Sequence, residues 1–329
     1  MTTLYDVAAI GNALVDVIAP ASDQFLADQG LVKGSMMLID DDRASSLYDQ
    51  MAAGEEASGG SAGNTVAGVA SLGGRAAYIG KVASDTLGDV FAHDIQAIGA
   101  TFAGERLVGG AGTGRSLINV TPDGERTMCT YLGAAAELTP SDVDPEIIEA
   151  AKIVYLEGYL FDPLDARRAF AKATGLARAS SRLVALSLSD SFVVDRHRQA
   201  LLGFIDAEVD IVFANESEIC SLFEVDDFDA AVRAVRGRAK MAAVTRGAMG
   251  STIVAGDAIH PIDAFPAEKV VDTTGAGDQY AAGFLFALAE GRSLVHCGRL
   301  GSLAATEVIS HYGPRPLVSL RDLATSHGL

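Results

Sequence analysis

The chain has 329 residues, 49% of them hydrophobic, which suits one large globular domain with a small appendage and argues against disorder. Its formal net charge of −18 repels nucleic acid and anionic lipid, so any site for an anionic nucleotide must supply its own local positive potential. Apolar runs such as Ala281 to Ala289 are too short to span a bilayer, no basic segment precedes an apolar core near Met1, and the scattered Cys129, Cys220 and Cys297 predict a reducing, cytoplasmic setting.

Tyr5–Ile10, apolar and β-branched, predicts the first strand. Between residues 13 and 39 come two short strand-like pieces, Leu14–Ala19 and Met36–Ile39. A helical pattern at Thr65–Leu72, a strand at Ala76–Val82 and a helix at Leu87–Ile98 follow. Arg115–Val120 and Arg126–Leu132 then flank Thr121-Pro-Asp-Gly124, a hairpin turn by composition. Strands at Lys152–Leu156, Leu183–Leu188, Val209–Phe213 and Ala242–Thr245 run on, with helical patterns at Leu164–Ala179 and Ser217–Phe223 between them. Gly250–Ala255 and Ala258–Pro261 form a hairpin about Gly256-Asp257, and helices at Gln279–Glu290 and Ser293–Ser310 close the series. Alternation of this kind predicts an α/β fold with a mostly parallel sheet covered on both faces. The four strands that break the alternation form a small β lid. The division is 13–39 and 113–132 for the lid, and 1–12, 40–112 and 133–329 for the large α/β domain.

The glycine content invites common phosphate-binding readings, and the spacing excludes them. A GxGxxG fingerprint needs a third glycine where Gly275-Ala-Gly277 has Tyr280 and Gly110-Ala-Gly112 has Arg115. A Walker loop fails because Gly80-Lys81 leads to Val82 with the wrong glycine spacing, and GxSxG is missing. The six histidines form no HxH or HExxH pattern, so no zinc site is expected.

Asp272-Thr-Thr-Gly-Ala-Gly-Asp278 remains. Gly275 and Gly277 permit a tight turn that aims successive N–H groups at one point, at the start of a helix beginning near Asp278. Unpaired amides and the helix dipole make an anion site. A carboxylate beside it does not bind the anion, but is placed to take a proton from a hydroxyl that attacks it. The plainer alternative makes Asp278 a helix N-cap.

The segment resembles the C-terminal signature of the PfkB-type, ribokinase-like carbohydrate kinases. Ser58-Gly-Gly-Ser-Ala-Gly-Asn-Thr65 is similar to their N-terminal signature, Asn215-Glu-Ser-Glu218 to their NxxE element, and Val244-Thr-Arg-Gly-Ala-Met-Gly250 to the stretch bordering their nucleotide site. The four occur in family order across nearly the whole chain. Gly11-Asn12-Ala-Leu-Val-Asp16, Asp123-Gly-Glu-Arg-Thr127, Tyr131-Leu-Gly-Ala134, Glu157-Gly-Tyr-Leu160 and Val308-Ile-Ser-His311-Tyr-Gly313 resemble the adenosine kinase branch, which also contains sugar kinases.

The resemblance implies a ribokinase-like fold and transfer of the γ-phosphate of ATP, with Mg2+, to a hydroxyl of a sugar or nucleoside. Asp278 would be the base, and the Gly275, Ala276 and Gly277 amides the anion hole. Asp16, Gly60 and Asn64, with Asn12 nearby, would hold the acceptor's hydroxyls. Met36, Tyr159 and Phe161 are candidates to pack on its base or sugar, each equally readable as core or lid packing. Asn215 and Glu218 would act on Mg2+ through water; alone they also read as a helix cap and its capping-box partner. Arg126 would reach the transferring phosphate or simply sit on a hairpin surface. Thr245, Arg246 and Gly247 would lie along the phosphates. His311 would fall near the adenine, or be satisfied at a helix end. A potassium ion would sit at Asp272 and Thr274 with the carbonyls of Val308, His311 and Gly313. Gln279-Tyr280 and Ser187-Leu-Ser-Asp190 depart from the family pattern. Expected partners are ATP and a small acceptor, with no nucleic acid or membrane, in a monomer or homodimer. The acceptor stays open between adenosine or a similar nucleoside and a free sugar such as fructose or ribose; a sensing module without catalysis is the third reading.

Overall fold

A computed structural model describes residues 3–329. Along the chain the elements run β1 (Tyr5–Ile10), β2 (Leu14–Pro20), α1 (Asp23–Asp28), β3 (Met36–Leu38), α2 (Asp41–Tyr48), β4 (Glu55–Ser58), α3 (Ser61–Ser71), β5 (Ala76–Ile79), α4 (Thr86–Ala97), β6 (Thr101–Ala103), β7 (Gly114–Val120) and β8 (Arg126–Tyr131). They continue as α5 (Pro145–Ala150), β9 (Ala151–Glu157), α6 (Leu164–Ala179), β10 (Leu183–Ser187), α7 (Ser191–Glu208), β11 (Ile211–Asn215), α8 (Glu216–Phe223) and α9 (Phe228–Val235). The last are β12 (Met241–Thr245), β13 (Ser251–Ala255), β14 (Ala258–Ile262), α10 (Ala276–Ala289), α11 (Leu294–Val308) and α12 (Leu320–Ser326).

The large sheet has nine strands in the order β14-β13-β12-β11-β10-β9-β1-β5-β6, parallel except at the β12–β13 and β13–β14 pairs. Its central strands are apolar throughout, as sheets covered on both faces require. Val7 and Ala9 enter the core shared with α3, α10 and α11, while Ala8 and Ile10 enter the core beneath α5 to α9.

The second sheet has the order β3-β8-β7-β2-β4. One face, with Val17, Leu117 and Cys129, packs on Leu26 of α1 and Leu47 of α2. The register Asp16↔Ser116↔Thr130↔Leu38 puts these four on the opposite face, with Ile18, Ile118, Met128 and Met36 one pleat along and Arg126 beyond. Sequence reading found four of the strands. The fifth, β4, lies in the 40–112 stretch assigned to the large domain, and α1 lies inside a segment read as strand-like only. Glu55 and Glu56 are exposed at the sheet edge. Charge there blunts edge pairing, and it also erases the apolar alternation that would have signalled a strand.

Candidate active site

The chain crosses between the sheets at Gly11–Ala13, leaving β1 for β2, and returns at Gly59–Gly60, leaving β4 for α3. The two crossings touch. A Cβ on Gly60 would strike the Asn12 carbonyl, and one on Gly59 the Asp16 carboxyl. Gly60 also has φ +81, which favours glycine on its own account. Buried Glu157, at the end of β9, holds both crossings. Its Oε1 accepts from Asn12 Nδ2 at 2.8 Å and its Oε2 from Ala62 N–H at 2.9 Å. The buried Asp16 carboxyl faces them from β2.

Gly275, with φ +78, is the N-cap of α10. The N-cap therefore lies three residues before Asp278, which sits inside the first turn, and the N-cap alternative for this carboxylate does not hold. In the first turn, Asp278 Oδ1 accepts from Ser61 Oγ at 2.6 Å and Oδ2 from Asn64 Nδ2 at 3.1 Å. The Gly275 and Gly277 N–H groups have no hydrogen-bond partner among the described residues, whereas the Ala276 N–H donates to Thr273 O at 3.2 Å. Two of the three expected amides are thus free, and the third is turned into the loop.

Four carboxyls around this point resist ionisation, each chiefly because of burial. Asp16 is pushed up to about 6, opposed by Arg315 and Arg126 and reinforced by Asp278. Asp278 is pushed up to about 6, opposed by the Ser61 and Asn64 hydrogen bonds. Glu157 and Glu218 are each pushed up to about 7, with hydrogen bonds from Ala62 and Asn12 opposing in the first and the Asn215 N–H in the second.

A cavity of about 90 Å3 between the end of the large sheet and α10 is lined by Ser61, Asn215, Glu218, Thr245, Gly277 and Asp278, among others. Asn215 and Glu218 form the capping box of α8: Asn215 Oδ1 accepts from Glu218 N–H at 2.9 Å, and Glu218 Oε2 from Asn215 N–H at 2.9 Å. Both still face the cavity. A carboxylate buried against its own titration there suits a divalent cation held through water.

Arg126, on the lid's inner face, lies 2.6 Å from Asp272 with both side chains buried, yet none of its guanidinium nitrogens makes an aligned hydrogen bond. Such an unsatisfied guanidinium suits an anion. The remaining residues divide. Arg246 turns from the cavity, donating to Glu216 Oε1 at 2.9 Å and sitting 3.8 Å over the Phe228 ring, while Gly247 takes φ +54. The His311 ring nitrogens meet Glu307 Oε1 and the Tyr312 carbonyl, the satisfied helix-end alternative. Phe161 is core, packed on Phe204 and His197. Met36 is 42% exposed on the lid face. Asp272 is already engaged by Arg126, Thr274 and the Gly313 N–H, so a potassium ion there would have to displace a guanidinium. Sequence reasoning gave no role to Glu157, Gln279 or Arg315; their partners lie far away in the chain.

An α/β sheet with a β lid, and between them a carboxylate beside free helix-start amides, define an ATP-dependent phosphotransferase with an alcohol acceptor. Residues 30–320 match the pfkB family carbohydrate kinase description, and the chain belongs to that family. It is similar to the crystal structure of adenosine kinase from Sinorhizobium meliloti, with 53% identity, TM-score 0.92, and 98% of this chain and 99% of that one covered. It is likewise similar to that of a probable sugar kinase from Rhizobium etli CFN 42, with 48% identity, TM-score 0.94 and 99% of both chains covered. Adenosine kinase of Saccharomyces cerevisiae is 28% identical over 93% of this chain and 95% of its own. The fold is that of the ribokinase-like kinases. Among the described residues no helix is long and apolar enough to cross a membrane.

Proposed function

We propose that the protein transfers the γ-phosphoryl group of ATP to the 5′-hydroxyl of adenosine or a similar nucleoside, with Asp278 as general base. The observation that carries this reading is the Asp278 carboxylate, held by Ser61 and Asn64 in the helix turn whose Gly275 and Gly277 amides are free. The acceptor hydroxyl gives its proton to Asp278, its oxygen bonds to the γ-phosphorus, and the bond to the β-phosphate oxygen breaks as ADP leaves. Gly275 and Gly277 N–H groups and Arg126 receive the charge on the transferring group. Asn215 and Glu218 would hold Mg2+ through water, and the chemistry it would supply there is positive charge for the phosphate oxygens. Asp16, Gly60, Asn64 and Asn12 receive the ribose.

The nucleoside reading draws support from the lid. Ile18, Ile118, Met128, Met36 and Leu38 lie on the sheet face that carries Asp16, an apolar strip beside the residues proposed to take the ribose. A purine needs such a surface, and a free hexose or pentose does not. The 48% identical relative named a probable sugar kinase favours a free sugar as the alternative, with fructose and ribose the ones to test. A panel of adenosine, other nucleosides, fructose and ribose with ATP and Mg2+ separates the two, and good turnover of a free sugar without adenosine overturns the first. Asp278→Asn is expected to bind acceptor while kcat falls roughly 10³-fold, at the strong end for a base that acts with its anion hole. Near-normal turnover would remove Asp278 from the role.

A further inference from the structure

Gln279 and Arg315 reach into the acceptor site from behind. Gln279, fully buried, donates through Nε2 to the main-chain carbonyls of Asn64 at 2.9 Å and Pro314 at 3.0 Å. It ties the Gly313–Arg315 loop to α3. Gly68 leaves the space its amide fills, since a Cβ there would strike Gln279 Oε1. The position that departs from the family pattern is thus a brace.

Arg315 rises from the braced loop. Its Nε donates to Asn64 Oδ1 at 3.4 Å, and the other end of that amide, Nδ2, donates to Asp278. Its Nη2 is enclosed with no hydrogen-bond partner among the described residues, 3.8 Å from where a Cβ on Gly63 would stand. An amide has one accepting and one donating end, and a guanidinium only donates. With Arg315 on the oxygen, the NH2 group of Asn64 must face Asp278.

Charge gives the second argument. Asp16, Glu157 and Asp278 converge on the acceptor pocket, and Asp16 has no side-chain hydrogen bond among the described residues. The charges of Arg315 on the loop and of Arg126 on β8, the latter already beside Asp272, favour the ionised form of Asp16. Asp278 faces it from α10 with like charge. Asp94 of α4, the other carboxylate acting on Arg315, accepts from the Ser58 N–H.

We propose that Arg315 is a positioning residue for phosphoryl transfer, fixing the Asn64 amide with its NH2 group on Asp278 and supplying the positive charge that offsets Asp16. This rests on the proposed roles of Asp278 and Asp16, and the test separates the two levels. Arg315→Met, Arg315→Lys and Asp278→Asn are compared from pH 5 to 9 with ATP and adenosine. Arg315→Met is expected to lower kcat/KM for the acceptor by roughly 10- to 100-fold, the scale of a small misplacement at a reacting centre, with KM for ATP within about two-fold. It also moves the acid limb of that profile to higher pH, because removing a cation raises the Asp16 pKa. Arg315→Lys keeps the charge and returns the limb while recovering only part of kcat. An unmoved limb with unchanged acceptor kcat/KM overturns the proposal, as does equal loss in the Met and Lys variants with the limb unmoved. If Arg315→Met does not fold by circular dichroism, Arg315→Gln takes its place, with the limb expected to move as for Met and an unmoved limb again fatal. Normal turnover in Asp278→Asn would instead sink the site assignment.

Discussion

Asp278 sets turnover against stability. Burial raises the folded pKa of Asp16 and Asp278 to about 6 from 3.8, and of Glu157 and Glu218 to about 7 from 4.5. Between the unfolded and folded values the native state holds more protons than the unfolded chain, so these groups lower stability as pH rises through that window. Asp6, Asp85 and Asp162, held below their ordinary value, act in the opposite sense, and the stability they give is lost only as pH falls below about 4. The thermal midpoint of the free protein is therefore expected to peak near pH 4 and fall as the pH rises toward about 7, while activity rises over the same range; a midpoint that rises steadily from pH 4 to pH 7 would contradict this. Asp278→Asn removes one buried charge, and Ser61 Oγ can accept from the new amide, so its midpoint at pH 8 should exceed that of the parent. At this scale the sequence made legible the short runs that the structure brings to the candidate site, Gly59-Gly60 and Asp272 to Asp278. It was silent on Glu157, Gln279 and Arg315, which bond across 95, 215 and 251 positions and have no local signature.

At the level of elements, the turn proposed as the anion hole depends on one backbone conformation. Gly275 takes φ +78, and a Cβ there would come within 2.6 Å of Pro314. Gly275→Ala is expected to lower the thermal midpoint and reduce kcat by about 10²-fold or more, since the free amides lose their aim. A variant with normal kcat would show that the amides do not act as an anion hole. The glycines made this turn legible, but not that the helix begins at Ala276, because Thr273-Thr274 gives no clear cap. The lid strands were legible from Thr121-Pro-Asp-Gly124 and from the break in alternation. Their partner β4 was not, since its residues are polar and its pairing with β2 is set by tertiary contact.

For the molecule as a whole, the acceptor pocket proposed above would be shared between the two sheets, and the lid would close on it by moving against the large sheet. Closure over the acceptor would exclude water from the phosphoryl group. Amide hydrogen exchange across Arg115–Leu132 is expected to slow when acceptor binds; exchange unchanged by saturating acceptor would count against a closing lid. The α/β class was readable over the whole length, because buried parallel strands are near-continuous apolar runs. Strand order was not, because it depends on which distant runs meet. That order carries a cost during folding. β1 sits in the interior of the nine-stranded sheet, with Val7 paired to Ala76 on one side and Ile153 on the other. An apolar strand made early on the ribosome must wait with its β9 edge open until about half the chain has emerged, and long-range parallel pairing of this kind is slow and exposed to aggregation. The same −18 charge that repels nucleotides at a distance also keeps unfinished chains apart.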